Sequence, residues 1–359
     1  MSTANDNKFS FLRAAGWMLL IILGAAVWIL ALQTREAAPV WRAFLVNFLF
    51  FTPMGAGMVV WSAVVVASRG KWMGAVEKYA VAGLAFSIPS IFALVILWLG
   101  NPAWSPWYQR SFHQGVWLDP TFIFARDLFA LVCFWGAAFW YYFSRRKTRS
   151  ILQGGVLIVI YAVTFSLIGF DLVMALDPQW TSSLFGGYFF ISGLYIAVTT
   201  WTLTSILLSR PRVARLHDLG KLIFAFCILT TYMMYSQLLP IYYENLPSET
   251  RFLVPRMNYM PWQAVSIFLL VMIYLGPIAL LLTQWAKKHA WYLGLIAGLI
   301  LISMWIERWW LVAPVFQSEI HLGLPEAAIF AAFLGVFALG IELFLWKMPL
   351  DFYPMSEEK

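Results

Sequence analysis

The sequence predicts an all-α polytopic membrane protein: ten transmembrane helices forming two parallel four-helix-bundle repeats, plus two peripheral helices. Three observations carry this. Of 359 residues, 62% are hydrophobic and 11% charged, whereas a water-soluble globule has about a quarter charged. Ten apolar runs, at about 14–32, 43–67, 79–99, 121–143, 151–176, 184–208, 219–240, 260–285, 290–312 and 325–346, each approach the ~20 residues needed to cross a bilayer. None alternates polar and apolar residues as barrel strands do. Finally, Phe50 to Trp61 (FFTPMGAGMVVW) resembles Phe189 to Trp201 (FFISGLYIAVTTW) with one gap, and each run leads to a basic loop, at Ser68-Arg69 and Ser209-Arg210. This suggests an internal duplication with a period of about 140 residues about an axis along the membrane normal. The organisation is then 1–39, polar tail and first peripheral span; 40–180, first bundle; 181–315, second bundle; 316–359, last peripheral span and tail.

Lys and Arg set the expected orientation. Seventeen of the 24 fall on the side holding both termini: Lys8, Arg13, Arg69, Lys71, Lys78, Arg145, Arg146, Lys147, Arg149, Arg210, Arg212, Arg215, Lys221, Lys287, Lys288, Lys347 and Lys359. The positive-inside rule makes that side cytoplasmic. The net charge of +7 is then a consequence of topology, and with no aromatic-interleaved basic patch it implies no nucleic-acid partner.

Taken in order, the first span follows the polar stretch Met1 to Ser10 and is too long for a signal-peptide core, so it reads as a retained anchor. The second passes Pro53-Met-Gly55-Ala-Gly57, where small residues permit close helix approach. The third carries Ser87-Ile-Pro89-Ser90, an expected kink. The outer segment Asn101 to Leu118, with Trp104, Trp107, Trp117 and His113, reads as interfacial.

Asp119-Pro120 supplies an N-cap and a first-turn proline for the fourth helix. Arg126 and Asp127 lie about 9–11 Å below that cap. The fifth span ends at Asp177-Pro178-Gln-Trp180 because proline cannot continue the ladder, which leaves Asp171 about 9 Å below the turn. The fourth and fifth spans are antiparallel neighbours, so Arg126, Asp127 and Asp171 share one layer in the outer half of the membrane. Glu307-Arg308 of the ninth span precede Pro314 by the spacing at which Asp171 precedes Pro178. Buried acids need a partner, a water-filled cavity or a proton. These groups read either as structural ion pairs or as stations of a proton route. Glu342, near the inner end of the last span, reads as a snorkelling side chain.

Other chemistry is excluded. The four histidines, His113, His217, His289 and His321, fall in loops or at span ends, so no pair faces another as bis-histidine haem requires. Cys133 and Cys227 belong to no CxxC and read as packing residues. No carboxylate-histidine metal set or Gly-rich phosphate loop occurs. The chain is expected to bind no redox or metal cofactor.

Phe170 to Trp180 (FDLVMALDPQW) and Tyr243 to Thr250 (YENLPSET), with the ten spans and two repeats, resemble the NrfD-like (polysulfide-reductase-like) membrane subunits, and among them the F-type subunits of bacterial alternative complex III. That resemblance implies a place in the bacterial cytoplasmic (inner) membrane and in a respiratory quinol:cytochrome c (electron acceptor) oxidoreductase. It implies as partners a paralogous ten-span subunit, a multihaem cytochrome c subunit, an iron–sulfur subunit, further subunits and lipids. Haem c and iron–sulfur clusters would reside in those partners, and menaquinol or ubiquinol would be the substrate of the whole complex. Carried onto this sequence, the proton-transfer candidates are Arg126, Asp127, Asp171 and Asp177, joined by Glu307 and Arg308. Quinone contact would fall on His113, Asp127 and Asp171. The alternatives are a stand-alone secondary transporter, suggested by the repeat and the broken spans, and a purely structural membrane anchor.

Overall fold

The computed structural model describes residues 10–34, 36–110, 112–147, 150–320 and 322–347. Lys8, Arg149, His321, Lys359 and the terminal tails lie outside the described residues. Ten helices among the described residues are long and apolar enough to cross a membrane, numbered here as spans 1 to 10: Phe11–Thr34, Ala37–Ala67, Gly74–Trp104, Pro120–Arg145, Ile151–Leu176, Phe185–Ser209, Val213–Glu244, Trp262–Leu280, Ala290–Val315 and Leu324–Lys347. The chain is an all-α polytopic membrane protein. Helices are what hydrocarbon demands, because each satisfies its own backbone N–H and C=O groups.

Local chemistry fixes the ends and the interruptions. Asp119 accepts the Phe122 N–H at 3.0 Å, with Pro120 at the first helical position of span 4, satisfying one of the unpaired N-terminal donors. Span 7 runs past the apolar stretch at both ends and stops at Asn245, in the left-handed conformation with φ +50°, a common cap geometry. In span 3 the backbone tightens to a 3₁₀ stretch over Ala82–Phe86. This lies N-terminal to Pro89, whose ring clashes with the carbonyl four residues back. In span 8 the helix widens to a π-helix over Leu270–Leu275, just before Gly276-Pro277. Pro277 cannot donate to the Ile273 carbonyl; that carbonyl instead accepts the Cys227 thiol at 3.3 Å and the Tyr195 hydroxyl at 3.4 Å.

Span 2 is the pillar. Every residue from Ala43 to Ala63 is buried, and the helix packs on spans 3, 5, 6, 9 and 10. It approaches span 6 closely, where a Cβ on Gly57 would fall 2.6 Å from that of Ala197, and span 3 more closely still, where a Cβ on Gly83 would collide with the Gly55 carbonyl oxygen, so only glycine fits at either place. Indoles tie the pillar to its neighbours: buried Trp61 donates to the Leu194 carbonyl at 2.9 Å and half-buried Trp305 to Asn47 Oδ1 at 3.1 Å. Spans 2 to 5 pack in a ring, 2 on 3, 3 on 4, 4 on 5 and 5 on 2. Spans 6 to 9 likewise contact one another in sequence, and span 9 returns to span 6. Spans 1 and 10 pair along their length. Glu342 does not merely snorkel: it lies 3.5 Å from Arg13 Nε, which puts the start of span 1 and the end of span 10 on one face, here called the basic face. Cys227 is buried but Cys133 is exposed on the perimeter, so only the first is a packing residue.

Candidate functional site

Spans 4 and 5 build the first charge cluster. Arg126 and Asp127 are successive helical residues and so point in different directions, about 100° apart. Arg126 lies at the rim with its guanidinium 3.7 Å from the centre of the Trp117 ring. From there it donates to Asp171 Oδ2 through Nε at 3.0 Å and Nη2 at 2.6 Å. Asp127 points inward, is fully buried and is an electrostatic neighbour of Asp171. Among the described residues no donor group reaches either oxygen of Asp127 or Asp171 Oδ1, and no acceptor reaches Arg126 Nη1; the Asp127 and Asp171 carboxyl groups meet each other, at hydrogen-bonding reach once one of them carries a proton. One positive charge thus serves two carboxyl groups.

The second cluster joins spans 6, 8 and 9. Arg308 Nη1 donates to Glu307 Oε2 at 3.0 Å, and Nη2 to Ser192 Oγ at 2.7 Å. Glu307 Oε1 accepts the Tyr188 hydroxyl, which in turn lies 3.2 Å from the Tyr274 hydroxyl. Glu307 and Arg308 are both buried. A lone buried charge in hydrocarbon is strongly disfavoured, and pairing with full hydrogen bonding is what makes it tolerable.

The two clusters flank one side chain. The Arg308 guanidinium lies 4.5 Å from the Phe189 ring centre. On the other side, a Cβ on Gly169, two residues before Asp171, would fall 2.8 Å from the Phe189 Cβ. Both clusters therefore lie within about one helical turn of a common level. Tyr161 of span 5 reaches the same seam and donates to the Phe190 carbonyl at 3.3 Å.

A third cluster, near the basic face, joins spans 2, 3 and 4. Arg145 binds Glu77 bidentately, Nε to Oε1 at 2.9 Å and Nη2 to Oε2 at 3.0 Å. Ser62 donates to Glu77 Oε1 at 3.0 Å, and its Oγ lies 2.9 Å from the Tyr141 hydroxyl. Tyr141 is about 21 Å along span 4 from Asp127. Lying at span ends, Glu77 and Arg145 resemble ordinary loop charges; the signal was that both ends share one face.

Two predicted residues do not join the clusters. The regular helix of span 5 ends at Leu172, and a 3₁₀ turn follows over Met174–Leu176. Asp177 is then extended, at φ −113° and ψ 92°, as expected of a residue before proline. It turns away from Asp171 and pairs instead with Arg251 Nε at 2.5 Å, while Arg251 Nη1 reaches Gln179 at 2.5 Å. His113 is exposed and makes no hydrogen bond or ion pair with Asp127 or Asp171 among the described residues, so the proposed His113, Asp127, Asp171 set is not assembled.

These surface segments form a packed cover above the first cluster. Gln114 donates to the Pro178 carbonyl at 2.7 Å, and Trp180 stacks on Phe252 at 4.2 Å between ring centres. Arg256 anchors the segment by donating to the carbonyls of Phe252, Trp310 and Leu311 at 2.7, 3.1 and 2.8 Å, two of them unpaired acceptors in the last turns of span 9. Burial pushes its guanidinium down to about 9, partly opposed by Asp177, which leaves it cationic near neutral pH. Compared with known proteins, the chain matches no protein-family model and no curated protein.

Proposed function

We propose that this chain is a membrane subunit of a quinol-oxidising respiratory complex of the NrfD-like class, itself free of redox cofactors, and that its buried carboxyl groups transfer protons. The observation that carries the proton reading is Asp127. It is fully buried, no donor among the described residues reaches either of its oxygens, and it meets Asp171, which Arg126 already pairs, so that the two carboxyl groups are placed to share one proton. A structural ion pair needs no second acid; a proton relay does, because one proton held between two carboxyl groups neutralises one of them and can be exchanged. The paired acid Glu307, bonded through Tyr188 to Tyr274, supports a second relay of the same kind. The partners and quinol substrate rest on the sequence resemblance alone.

A second reading, a purely structural anchor, is favoured by the closed pair Glu77–Arg145, whose members are both buried and fully engaged. One experiment separates the readings. The tagged chain is purified in mild detergent from its native membranes, and the preparation is reconstituted with and without Asp127→Asn. Co-purifying polypeptides with haem absorbance, and a lower proton-to-electron ratio in the variant at unchanged assembly, are expected. A colourless lone chain would replace the subunit reading with that of a stand-alone transporter, and an unchanged ratio would leave Asp127 without a proton role.

A further inference from the structure

Opposite the basic face, spans 2 and 10 begin side by side and pack on each other. A cavity of about 400 Å³ lies there, between Glu36, Gln317, Leu322 and Glu326. A narrow cavity of about 20 Å³ shares Pro39, Gln317 and Glu326 with it and reaches down to Arg42 and Trp309, so the two make one funnel. Among the described residues, Glu36, Arg42 and Glu326 belong to no ion pair. Charges of both signs thus line the funnel without neutralising one another.

The charges are ordered by depth. Glu36 immediately precedes span 2 and Glu326 is the third residue of span 10, so both carboxylates stand where the helices start. Arg42 follows Glu36 by about 9 Å along the axis of span 2. Its guanidinium carbon lies 3.5 Å from the centre of the Phe316 ring, which holds the group in place. Its Nε is buried and meets no acceptor among the described residues. Glu326 Oε2 accepts the Gly323 N–H at 2.8 Å, which leaves Oε1 for another donor. An arginine held this way is a receptor for a phosphate or carboxylate. Two carboxylates at the mouth repel a polyanion and attract an ammonium group.

The ligand so selected carries an oxyanion at its inner end and an ammonium at its outer end. A phosphatidylethanolamine headgroup stands in a membrane in that order, its phosphate beside the glycerol and its ammonium toward water. Size agrees, since a cavity of about 150 Å³ already holds a benzene ring. Leu322 on the lip is 48% exposed and Leu324 beside it 68%, so an apolar surface leads from the funnel to the perimeter, where acyl chains belong. We propose that this funnel binds the ethanolamine phosphate group of a phosphatidylethanolamine, with the phosphate on Arg42 and the ammonium between Glu36 and Glu326. The site lies apart from the three charge clusters and does not depend on the proton-transfer reading, because its test reads lipid binding alone.

The test uses the delipidated full-length chain in detergent, titrated with dioctanoyl phospholipids and read by native mass spectrometry. Phosphatidylethanolamine should saturate one site. Phosphatidylglycerol, which lacks the ammonium, and phosphatidylcholine, whose ammonium has no N–H, should each bind at least about tenfold more weakly, the loss of one charge-assisted hydrogen bond. Arg42→Met should weaken phosphatidylethanolamine binding by about tenfold as well, and the double variant Glu36→Gln, Glu326→Gln should bind it no better than phosphatidylglycerol. Should these variants not fold, Glu36→Gln, at an exposed position, should narrow the preference about threefold. Equal affinity for phosphatidylethanolamine and phosphatidylglycerol overturns the proposal, as does undiminished binding in the folded variants. Glycerophosphoethanolamine, the same headgroup without acyl chains, should displace the lipid poorly; displacement at equal concentration would give the funnel to a water-soluble ester and overturn the lipid assignment.

Discussion

Asp127→Asn and Asp171→Asn are nearly the same chemical change a few ångströms apart, yet the structure gives them different consequences for stability. Asp171 receives two guanidinium hydrogen bonds, at 3.0 and 2.6 Å, and is fully buried. Removing one partner of a buried pair costs about 3–5 kcal/mol. Arg126 keeps 13% of its side chain exposed and its stacking on Trp117, so the lower figure applies, about 3 kcal/mol. Asp127 has no donor among the described residues; its one partner is the Asp171 carboxyl, a contact an amide can keep. A desolvated carboxyl is replaced by a neutral amide, and Asp171 Oδ1, which no donor among the described residues reaches, accepts the new N–H. The expected change runs from zero to a gain of about 1 kcal/mol. The two variants should therefore differ by at least about 3 kcal/mol, more than a hundredfold in the unfolding equilibrium. Reversible unfolding of the isolated chain in mixed micelles, followed by far-ultraviolet circular dichroism, measures this. If Asp127→Asn costs as much as Asp171→Asn, then Asp127 is a bonded structural residue and its assignment as a proton carrier falls.

Two further predictions concern the parts absent from the sequence reading. Glu77→Gln and Arg145→Met should each destabilise by about 3 kcal/mol, by stranding a buried charge, while the double variant should lose well under their sum; a mutant cycle in the same micelles that finds simple additivity would refute the pairing. Arg256→Met leaves three carbonyls without their donor, a loss of about 2–3 kcal/mol, and should open the 245–258 segment to limited proteolysis. Unaltered cleavage would mean that the segment is held elsewhere.

Much of this was legible in the sequence, for identifiable physical reasons. The spans were readable because hydrocarbon leaves the backbone no alternative to helix, and span 7 was underestimated only where polar residues 213–218 and 241–244 extend it into the interface. The Arg126–Asp171 contact was readable because two antiparallel helices joined by a short loop put equal depths side by side. Asp177 stands in the turn that Pro178 marks; its partner Arg251 lies 74 residues on in another loop, a pairing no local pattern announces. Tyr188 and Tyr274 were missed for a different reason: an aromatic residue in a span looks the same whether it packs or bonds an acid, and one hydroxyl carries no pattern. The π-helix left only Gly276-Pro277 as a trace, and the two groups that take up the freed carbonyl, Cys227 and Tyr195, come from other spans.

The seam between the two groups of spans bears on how protons would move if the proposed role is correct. Phe189 stands between Arg308 and the Gly169 turn below Asp171, and its ring offers no polar atom to a proton. Tyr161 and Ser192 bring hydroxyls to the seam, but their protons are committed to the carbonyls of Phe190 and Phe189, groups that accept and cannot pass a proton on. Spans 2 and 6 close the remaining space, with Gly57 against Ala197 too tight for one added carbon. A relay across the seam would thus have to break a buried hydrogen bond between closely packed helices. The two clusters are better treated as separate proton sites that share a level but not a path. Accordingly, Asp127→Asn and Glu307→Gln should impair coupling additively, as independent sites do, whereas a single continuous relay would make the second substitution silent once the first is present.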